Sequence, residues 1–413
     1  MTISIDMSAF DADSAASPVR NWTPVPHSPP CRLCGARLHS TLIDLGDLPL
    51  ANGTSHRCAP LHIRICDECT LVQHAGEARS GTHAPSGPSV SAAQAANHAQ
   101  TVRKRLHLTA GSLTIGIGTR STELLRPFQA AGIPVFGIGP APVAGIPNLD
   151  AVFNTGTAMQ VAVRQGCADL AIADNILPYA PDLFDFAAGL ATILRPNGIV
   201  SLLVPYLPAL LQGTRFDAFC HDACTYLSLR VIEHVFRSAG LRVFDATRLP
   251  GDGGQLHVLA CRAAGLHTAR PGLKAVRQAE RLALLDRPDL YSGFSARAAA
   301  ARADIRAFLG NRYAAGRRVV ALGATGRGIM LLNGCGIGAR EIACAADPDP
   351  SKQGCLLPGS RIPVVAPESL EANPPDDAIV LSGQDTAETG PILASLRQRG
   401  TQVWALLPRI ARV

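Results

Sequence analysis

The sequence predicts an α/β protein in which a small cysteine-rich metal domain is followed by two open-sheet domains. Two Cys-x-x-Cys pairs stand in the first part of the chain, and strand-like segments then alternate with helical segments in two separate regions. This alternation is typical of mostly parallel sheets with helices on both faces. The chain has 413 residues, of which 47% are hydrophobic, so it is long enough for several domains with buried cores.

Changes in composition set the expected boundaries between these parts. A segment rich in Ser, Pro and Ala opens the sequence, and small polar residues return after the second cysteine pair. The expected parts are a flexible tail (1–30), a zinc-binding domain (31–75), a linker that ends in a helix near 91–107 (76–110), a doubly wound α/β domain (111–262), a linker with one helix over 275–308 (263–310) and a second α/β domain (311–413).

Charge and hydropathy exclude some classes of partner. The net charge of +6 comes from single arginines spread along the chain, without a basic block interleaved with aromatic residues, so we expect no nucleic acid partner. No apolar run reaches the roughly 18 residues of a membrane span, and no charged-then-apolar leader opens the sequence. We therefore expect a cytoplasmic protein with no membrane partner, whose mild positive charge suits an anionic small molecule.

The cysteine pairs are the first candidate site. Cys31 and Cys34 form one pair, and Cys66 and Cys69 form the other. Two residues between ligands let both sulfurs of a pair turn onto one ion, so the pairs predict a tetrahedral, structural zinc site, with redox or chance cysteines as the alternative. Cys58 stands outside the pairs. The nearby histidines are expected to lie in the tail and in loops and to face solvent: His27, His39, His56, His62, His74 and His83.

A glycine turn after the first central strand is the second candidate site. An apolar run over 113–118 contains Gly116 and Gly118 and leads through Thr119 into a helix. Nucleotide-type cofactors usually bind where a strand passes through a tight loop into the N-terminus of a helix. Because a third glycine is missing, an ordinary strand-to-helix turn is the alternative. Asn175 follows a later strand of the same domain and is a further candidate for cofactor binding.

The remaining central elements follow from the hydrophobic pattern. We expect strands over 134–139, 168–174 and 198–205, helices over 121–131, 181–194 and 227–239, and a final hairpin of strands 241–246 and 256–261. An antiparallel hairpin at the end of a parallel sheet is typical of class I methyltransferases.

The last domain repeats the strand, turn and helix order. A strand over 318–322 enters a glycine-rich turn over 323–328, a helix follows over 329–335, and further strands are expected over 378–382 and 402–407. Arg327 in the turn is a candidate anion contact, because backbone N–H groups and a guanidinium converge there, with a solvated loop arginine as the alternative. The polar turn over 347–352 ends in Lys352.

The order of these parts and several motifs carry a family resemblance. The motifs are Cys31-Arg-Leu-Cys-Gly, Asp44-Leu-Gly-Asp-Leu-Pro-Leu-Ala-Asn52, Cys66-Asp-Glu-Cys-Thr-Leu-Val-Gln73, Leu331-Leu-Asn333, Lys352-Gln-Gly354 and Pro358-Gly359. On these residues the chain resembles, over roughly residues 31 to 408, the deoxysugar C-methyltransferases, which act on nucleotide-linked keto-sugars in antibiotic pathways. The resemblance implies a structural zinc domain, a central class I S-adenosylmethionine domain and a C-terminal Rossmann-like domain that helps to hold the nucleotide sugar. It places substrate contacts at Arg327, Lys352, Asp252 and His257.

Several positions depart from the family pattern. Gly116 stands where the family has an acidic residue, and Gly139 stands where a carboxylate accepts the ribose hydroxyls of the cofactor. Each lost hydrogen bond of this kind costs about 1–3 kcal/mol, so we expect weakened cofactor binding. Ala223 replaces the histidine that the resemblance implies as the base, and Tyr179 replaces another histidine.

New polar residues stand where the family does its chemistry. The candidate catalytic residues are Tyr179, Cys220, His221 and Asp222, because a cysteine beside a histidine can be a nucleophile and a His–Asp pair can be a base. Ordinary substitution in a pocket wall is the alternative. The residues leave three functions open: a methyltransferase with a degraded cofactor loop, a non-methylating isomerase, lyase or cyclase in natural-product biosynthesis, and a non-catalytic partner protein.

Overall fold

The computed structural model describes residues 29–50, 57–76, 102–103, 106–118, 124–140, 142–250, 253–285, 291–381 and 390–413. Its strands are β1 (Ser40–Pro49), β2 (Cys58–Ile65), β3 (Val72–His74), β4 (Thr114–Ile117), β5 (Val135–Ile138), β6 (Asn148–Leu149), β7 (Ala168–Asp174), β8 (Leu194–Pro205), β9 (Thr225–Tyr226), β10 (Leu241–Leu249), β11 (Gln255–Arg262), β12 (Val319–Leu322), β13 (Ala345–Ala346), β14 (Val364–Val365), β15 (Asp377–Val380), β16 (Gln402–Ala405) and β17 (Ala411–Arg412). Its helices are α1 (Arg126–Ala130), α2 (Thr155–Gln165), α3 (Leu183–Ile193), α4 (Leu207–Gln212), α5 (Leu229–Ser238), α6 (Pro271–Leu282), α7 (Ser292–Ala314), α8 (Gly326–Cys335), α9 (Ser369–Ala372) and α10 (Gly390–Gln398).

The first sheet joins the cysteine-rich part to the central part of the chain. Its order is β1-β2-β3-β9, and all its pairs are antiparallel. The fourth strand, β9, comes from the middle of the sequence and pairs Thr225 with Gln73 and Tyr226 with Val72. This sheet therefore crosses the boundary that we expected at residue 75.

The central sheet has the order β10-β11-β8-β7-β4-β5-β6. Strands β4 to β8 are parallel, whereas β11 is antiparallel to both β8 and β10. The predicted α/β fold with a final antiparallel hairpin is thereby confirmed. The chain fills the sheet from β4 towards β6 and then continues on the other side with β7, so a topological switch point lies between β4 and β7, where α/β sheets usually bind ligands.

Local sequence explains where the central helices begin. The Asp182 side chain accepts hydrogen bonds from the backbone N–H groups of Phe184 and Asp185 and so caps α3, which buries Phe186 and Leu190. Helix α2, which the hydrophobic pattern did not predict, begins with a capping box in which the Asn154 side chain accepts from the backbone N–H of Thr157. The predicted helix over 121–131 is described only from residue 124 onwards, and α1 begins at Arg126.

The third sheet has the order β14-β13-β12-β15-β16-β17 and is parallel except for β17. It confirms the second Rossmann-like domain. The predicted glycine-rich turn over 323–328 is shorter than expected, because the Thr325 hydroxyl accepts from the backbone N–H of Gly328 and α8 already begins at Gly326. Arg327 therefore belongs to the first turn of a helix and not to a loop.

The predicted single helix over 275–308 is wrong. Two helices, α6 and α7, occupy this part of the chain, and Leu284 after α6 has a φ of 49°. The sequence between the two helices contains Pro288, which lacks a backbone N–H and disfavours a continuous helix. Within the described residues, no helix is long and apolar enough to cross a lipid bilayer. Most of the expected tail (1–30) and most of the expected 91–107 helix lie outside the described residues.

Candidate functional site

The four paired cysteines converge on one point. The Sγ atoms of Cys31, Cys34, Cys66 and Cys69 all lie within 4.8 Å of one another, and the Sγ–Sγ distance is 3.5 Å both for Cys31 and Cys69 and for Cys34 and Cys66. Such a set of thiol ligands fits one tetrahedral Zn²⁺. The buried Gln73 side chain donates a hydrogen bond from Nε2 to the Sγ of Cys31 at 3.1 Å. Hydrogen bonds of this kind, from residues that do not bind the metal themselves, usually orient the metal ligands.

An apolar recess lies at the carboxyl ends of β4, β5 and β7. It measures about 370 Å³ including its open mouth. The side chains that line it include Ile138, Pro140, Val152, Phe153, Ile176, Tyr179 and Phe186, together with the glycines Gly118 and Gly139. None of its described lining residues carries a carboxylate.

The two predicted turn glycines have different positions. Gly116 lies inside β4, where it is paired with Gly137 on one side and Ile172 on the other. Gly118 forms the turn, with a φ of 85°, and a Cβ added to it would lie 3.2 Å from the Ile176 side chain. The Ile176 side chain thus packs directly against the turn. Thr119 lies outside the described residues.

Hydrogen bonds join the two short segments that carry the candidate catalytic residues. The backbone N–H of Cys224 donates to the carbonyl of Pro178 at 2.9 Å, and the Cys224 thiol lies 3.8 Å from the carbonyl oxygen of Tyr179. The turn over 177–179 is thereby joined to the segment over 220–226, and Tyr179 is buried beside it. Ala223, at the position of the implied base, is also buried. Asn175, just before the turn, has a φ of 52° and a buried side-chain oxygen.

His221 is held by the cysteine-rich sheet. Its Nε2 lies 2.8 Å from the carbonyl oxygen of Ala59, so Nε2 carries the proton of the neutral ring, because a carbonyl oxygen can only accept. The ring of His74 contacts the His221 ring edge to face, with the two centroids 5.9 Å apart. Burial, the neighbouring His221 and Arg32 lower the pKa of His74 to about 4, although a hydrogen bond to the Pro60 carbonyl opposes this shift.

The expectation that the histidines of the first part face solvent is wrong for His74. It lies on β3 and is 8% exposed, and His62 lies on β2. The apolar run Leu71-Val72 directly before Gln73 and His74 was the signal of a short buried strand. His39 is exposed as expected, whereas His27, His56 and His83 lie outside the described residues.

Cys220 is not poised as a thiolate. Burial raises the pKa of its thiol to about 11, and hydrogen bonds from the backbone of Ala223 and Asp222, together with the charge of Arg327, only partly oppose this effect. The backbone N–H of Cys220 donates to the hydroxyl of Tyr226 at 2.9 Å, which fixes the start of the segment. Asp222 is only partly buried next to the buried His221. A thiol with a raised pKa is a poor nucleophile at neutral pH, so this environment does not favour a reactive thiolate at Cys220.

A buried carboxylate connects the central part to the third sheet. Asp217 is 2% exposed and accepts two hydrogen bonds from the Arg215 guanidinium, at 2.9 and 2.6 Å. The Nε of Arg327 lies 3.3 Å from Oδ2 of the same carboxylate. Burial alone would raise the pKa of Asp217, but the guanidiniums of Arg327 and Arg215 outweigh burial and lower it. Asp217 was not predicted from the sequence, because a single Asp among aromatic residues has no local signature.

The other predicted substrate contacts lie in separate networks. Lys352 Nζ lies 3.3 Å from Oδ2 of Asp347, which follows β13, and this carboxylate also accepts from the backbone N–H of Ala324. His257 Nε2 lies 2.9 Å from the Ser201 hydroxyl, across strands β11 and β8. Asp252 lies outside the described residues.

Comparison with known proteins gives the following relationships. The sequence model of a C-methyltransferase C-terminal domain matches residues 250–408, and that of a domain described as zinc-binding matches residues 31–80. The C-methyltransferase NovU of Streptomyces niveus is 31% identical over 383 residues, which cover 85% of this chain and 89% of that protein.

Two solved structures resemble parts of the chain more distantly. A methyltransferase from Clostridium acetobutylicum, described as S-adenosylmethionine-dependent, is 9% identical, with a TM-score of 0.33 over 42% of this chain and 92% of that one. The 1,6-didemethyltoxoflavin-N1-methyltransferase of Burkholderia thailandensis is 16% identical, with a TM-score of 0.30 over 41% of this chain and 78% of that one.

Proposed function

The chain belongs to the C-methyltransferase family with an N-terminal zinc-binding domain, and from this premise we propose that it is a biosynthetic enzyme that transfers protons, without methyl transfer, on a nucleotide-linked sugar or a similar anionic small molecule. The similarity to the C-methyltransferase NovU supports the family scaffold, and the changed residues support the altered reaction.

The recess at the switch point carries this proposal. S-adenosylmethionine needs acceptors for its ribose hydroxyls and an open glycine turn for close backbone approach. Of the described residues that line the recess, none is acidic, and the Ile176 side chain packs against the Gly118 turn. These residues do not fit the cofactor, so we derive no catalytic step through it.

His221 and Tyr179 supply the proposed proton chemistry. Because Nε2 of His221 donates to Ala59, the lone pair of the neutral ring lies on Nδ1, which can take a proton from a carbon next to a carbonyl group. The C–H bond breaks as the N–H bond forms, and the Tyr179 hydroxyl donates a hydrogen bond to the enolate oxygen. In an α-hydroxy ketone the hydroxyl proton then moves to the enolate oxygen, and the proton held on Nδ1 returns to the former carbonyl carbon, which completes an isomerisation.

Arg327 supplies the proposed contact with the anionic part of the substrate. It lies in the first turn of α8, where the backbone N–H groups and the helix dipole also favour an anion. Its side chain is 26% exposed, and the carboxylate of Asp217 holds its Nε in place. A guanidinium fixed in this way suits the phosphates of a nucleotide-linked sugar.

Methyl transfer itself is the second candidate function. It is favoured by the turn after β4, which keeps a glycine with a positive φ at the topological switch point. In that case residues 119–123, which lie outside the described residues, would have to supply the polar contacts that the recess lacks.

Calorimetric titration tests the proposal. For the zinc-loaded protein we expect no binding of S-adenosylmethionine or S-adenosylhomocysteine up to about 1 mM, and measurable binding of thymidine diphosphate. Arg327→Gln should weaken diphosphate binding about tenfold or more, whereas Arg340→Gln, whose side chain is 73% exposed, should not. Micromolar binding of S-adenosylmethionine would overturn the proposal in favour of methyl transfer.

We also place the enzyme in the cytoplasm. All twelve cysteines lie in the described residues and none is in a disulfide, which suits a reducing compartment.

A further inference from the structure

Gln73 connects the zinc site to the strand that follows it. Its side chain is 1% exposed, and both ends of its amide are used within the cysteine-rich part. Nε2 donates to the Sγ of Cys31 at 3.1 Å, and Oε1 accepts from the backbone N–H of Arg32 at 3.0 Å. On the strand itself, Gln73 is paired with Thr225 of β9. One residue therefore contacts a zinc ligand and the segment that carries His221.

Three contacts continue from this sheet to His221. The backbone N–H of His74 donates to the carbonyl of Cys224 at 3.1 Å, the His74 ring packs on the His221 ring, and the carbonyl of Ala59 on β2 accepts from His221. The His74 ring is itself fixed, because its Nδ1 accepts from the backbone N–H of Gly76 at 3.3 Å.

We propose that Gln73 and His74 are positioning residues through which the zinc-bound cysteine cluster fixes the orientation and the tautomer of His221. The inference rests on the proposed function, in which His221 is the base. A zinc-bound thiolate accepts a hydrogen bond more strongly than a thiol, so metal binding strengthens the contact of Gln73 with Cys31. The strengthened contact holds β3 in register with β9, and this register sets the position of the His221 ring.

Chemical labelling of histidines tests the inference without a substrate. Diethyl pyrocarbonate modifies accessible imidazole nitrogens, and mass spectrometry can follow each histidine separately. In the zinc-loaded protein we expect slow labelling of His221, which is 4% exposed, and fast labelling of the exposed His234 on α5. Gln73→Leu should raise the His221 rate about tenfold, as expected when a hydrogen bond of about 1.4 kcal/mol is lost, while His234 stays unchanged.

Matched variants separate positioning from general damage. Gln353→Leu removes an amide contact with the carbonyl of Asp347 in the third sheet and should leave His221 labelling unchanged. His74→Ala should raise the labelling rate, and His74→Phe should restore slow labelling because it keeps the ring contact. The variants at His74 leave the zinc cluster and Gln73 intact, so they remain informative if Gln73→Leu does not fold.

The tautomer of His221 gives a second signature. Long-range ¹H–¹⁵N spectra of the wild type should report the Nε2–H form, and His74→Ala should give a mixture of both forms. The inference is overturned if His221 labelling and its tautomer are unchanged in both Gln73→Leu and His74→Ala. These signals do not depend on turnover, so loss of the proposed activity with intact signals would refute the proposed function alone.

Discussion

Arg327 Nε lies 3.3 Å from Oδ2 of Asp217, and this contact joins the first turn of α8 to the central part of the chain inside a buried environment. The carboxylate is shared with Arg215, so one negative charge orients two guanidiniums beside the segment that carries His221. Asp217 thereby connects the central part of the chain to the third sheet, although it was not among the residues that the sequence singled out.

Asp217→Asn should destabilise the protein by about 3 kcal/mol, because it leaves two guanidiniums without their buried counter-charge. Urea unfolding at pH 7 measures the change. Glu233→Gln is the matched control, since the Arg277 partner of Glu233 is 48% exposed and the pair should contribute less than about 1 kcal/mol. Equal effects of the two substitutions would contradict the central role of Asp217.

His74 should make stability fall as the pH drops below 6.5. Burial lowers its pKa to about 4 in the folded state, so the unfolded chain binds the proton first when the pH falls. The contribution is complete above pH 6.5 and decreases towards pH 4, with a loss of about 2 kcal/mol at pH 5. Urea unfolding of the wild type and of His74→Phe at pH 7.5 and 5 isolates the contribution of His74 to the pH dependence of stability. If the stability of His74→Phe fell with pH as much as that of the wild type, the prediction would be refuted.

Substitution of the cluster cysteines should abolish zinc binding. We expect about one zinc per chain in the wild type and in Cys58→Ser, and little or no bound zinc in Cys69→Ser, because three ligands leave the tetrahedral site incomplete. Cys58 is the control because it lies outside the group of four converging sulfurs. Metal content is measured by atomic emission. Retention of the metal by Cys69→Ser would argue against the four-cysteine site.

Gly118→Ala should cost more stability than Gly132→Ala. Both glycines have a positive φ, of 85° and 75°, so each substitution carries a backbone strain of about 1–2 kcal/mol. Only the Gly118 Cβ would also press on Ile176, whereas the Cβ at Gly132 meets nothing within 4 Å. In the double variant Gly118→Ala with Ile176→Ala, the part of the stability loss that comes from contact with Ile176 should disappear. Thermal unfolding of the wild type and these three variants tests whether Gly118 and Ile176 lie this close together in the recess.

The fold and the site could be predicted from the sequence wherever a local pattern determines the structure. Strand β7 runs from Ala168 to Asp174 as predicted, the final hairpin is antiparallel as expected, and the paired cysteines converge. These features depend on hydrophobic runs and ligand spacing, which can be recognised within a few residues.

The unpredicted features depend on contacts between distant parts of the chain. Strand β9 has only two residues and exists because its partner β3 lies about 150 positions earlier in the sequence. The roles of His74 and Asp217 also depend on distant contacts, since nothing in the sequence around either residue distinguishes it from an ordinary surface residue. A local pattern cannot report that two segments far apart will share one edge of a sheet.

The late pairing of β3 with β9 has a consequence for biogenesis. As the chain leaves the ribosome, the cysteine pairs and the first three strands emerge well before Thr225 and Tyr226 are made. Until then, β3 presents an open edge of unpaired backbone groups, which can recruit strands from other nascent chains. We expect the cysteine-rich part produced alone to self-associate, and full-length synthesis to benefit from a chaperone that covers this edge.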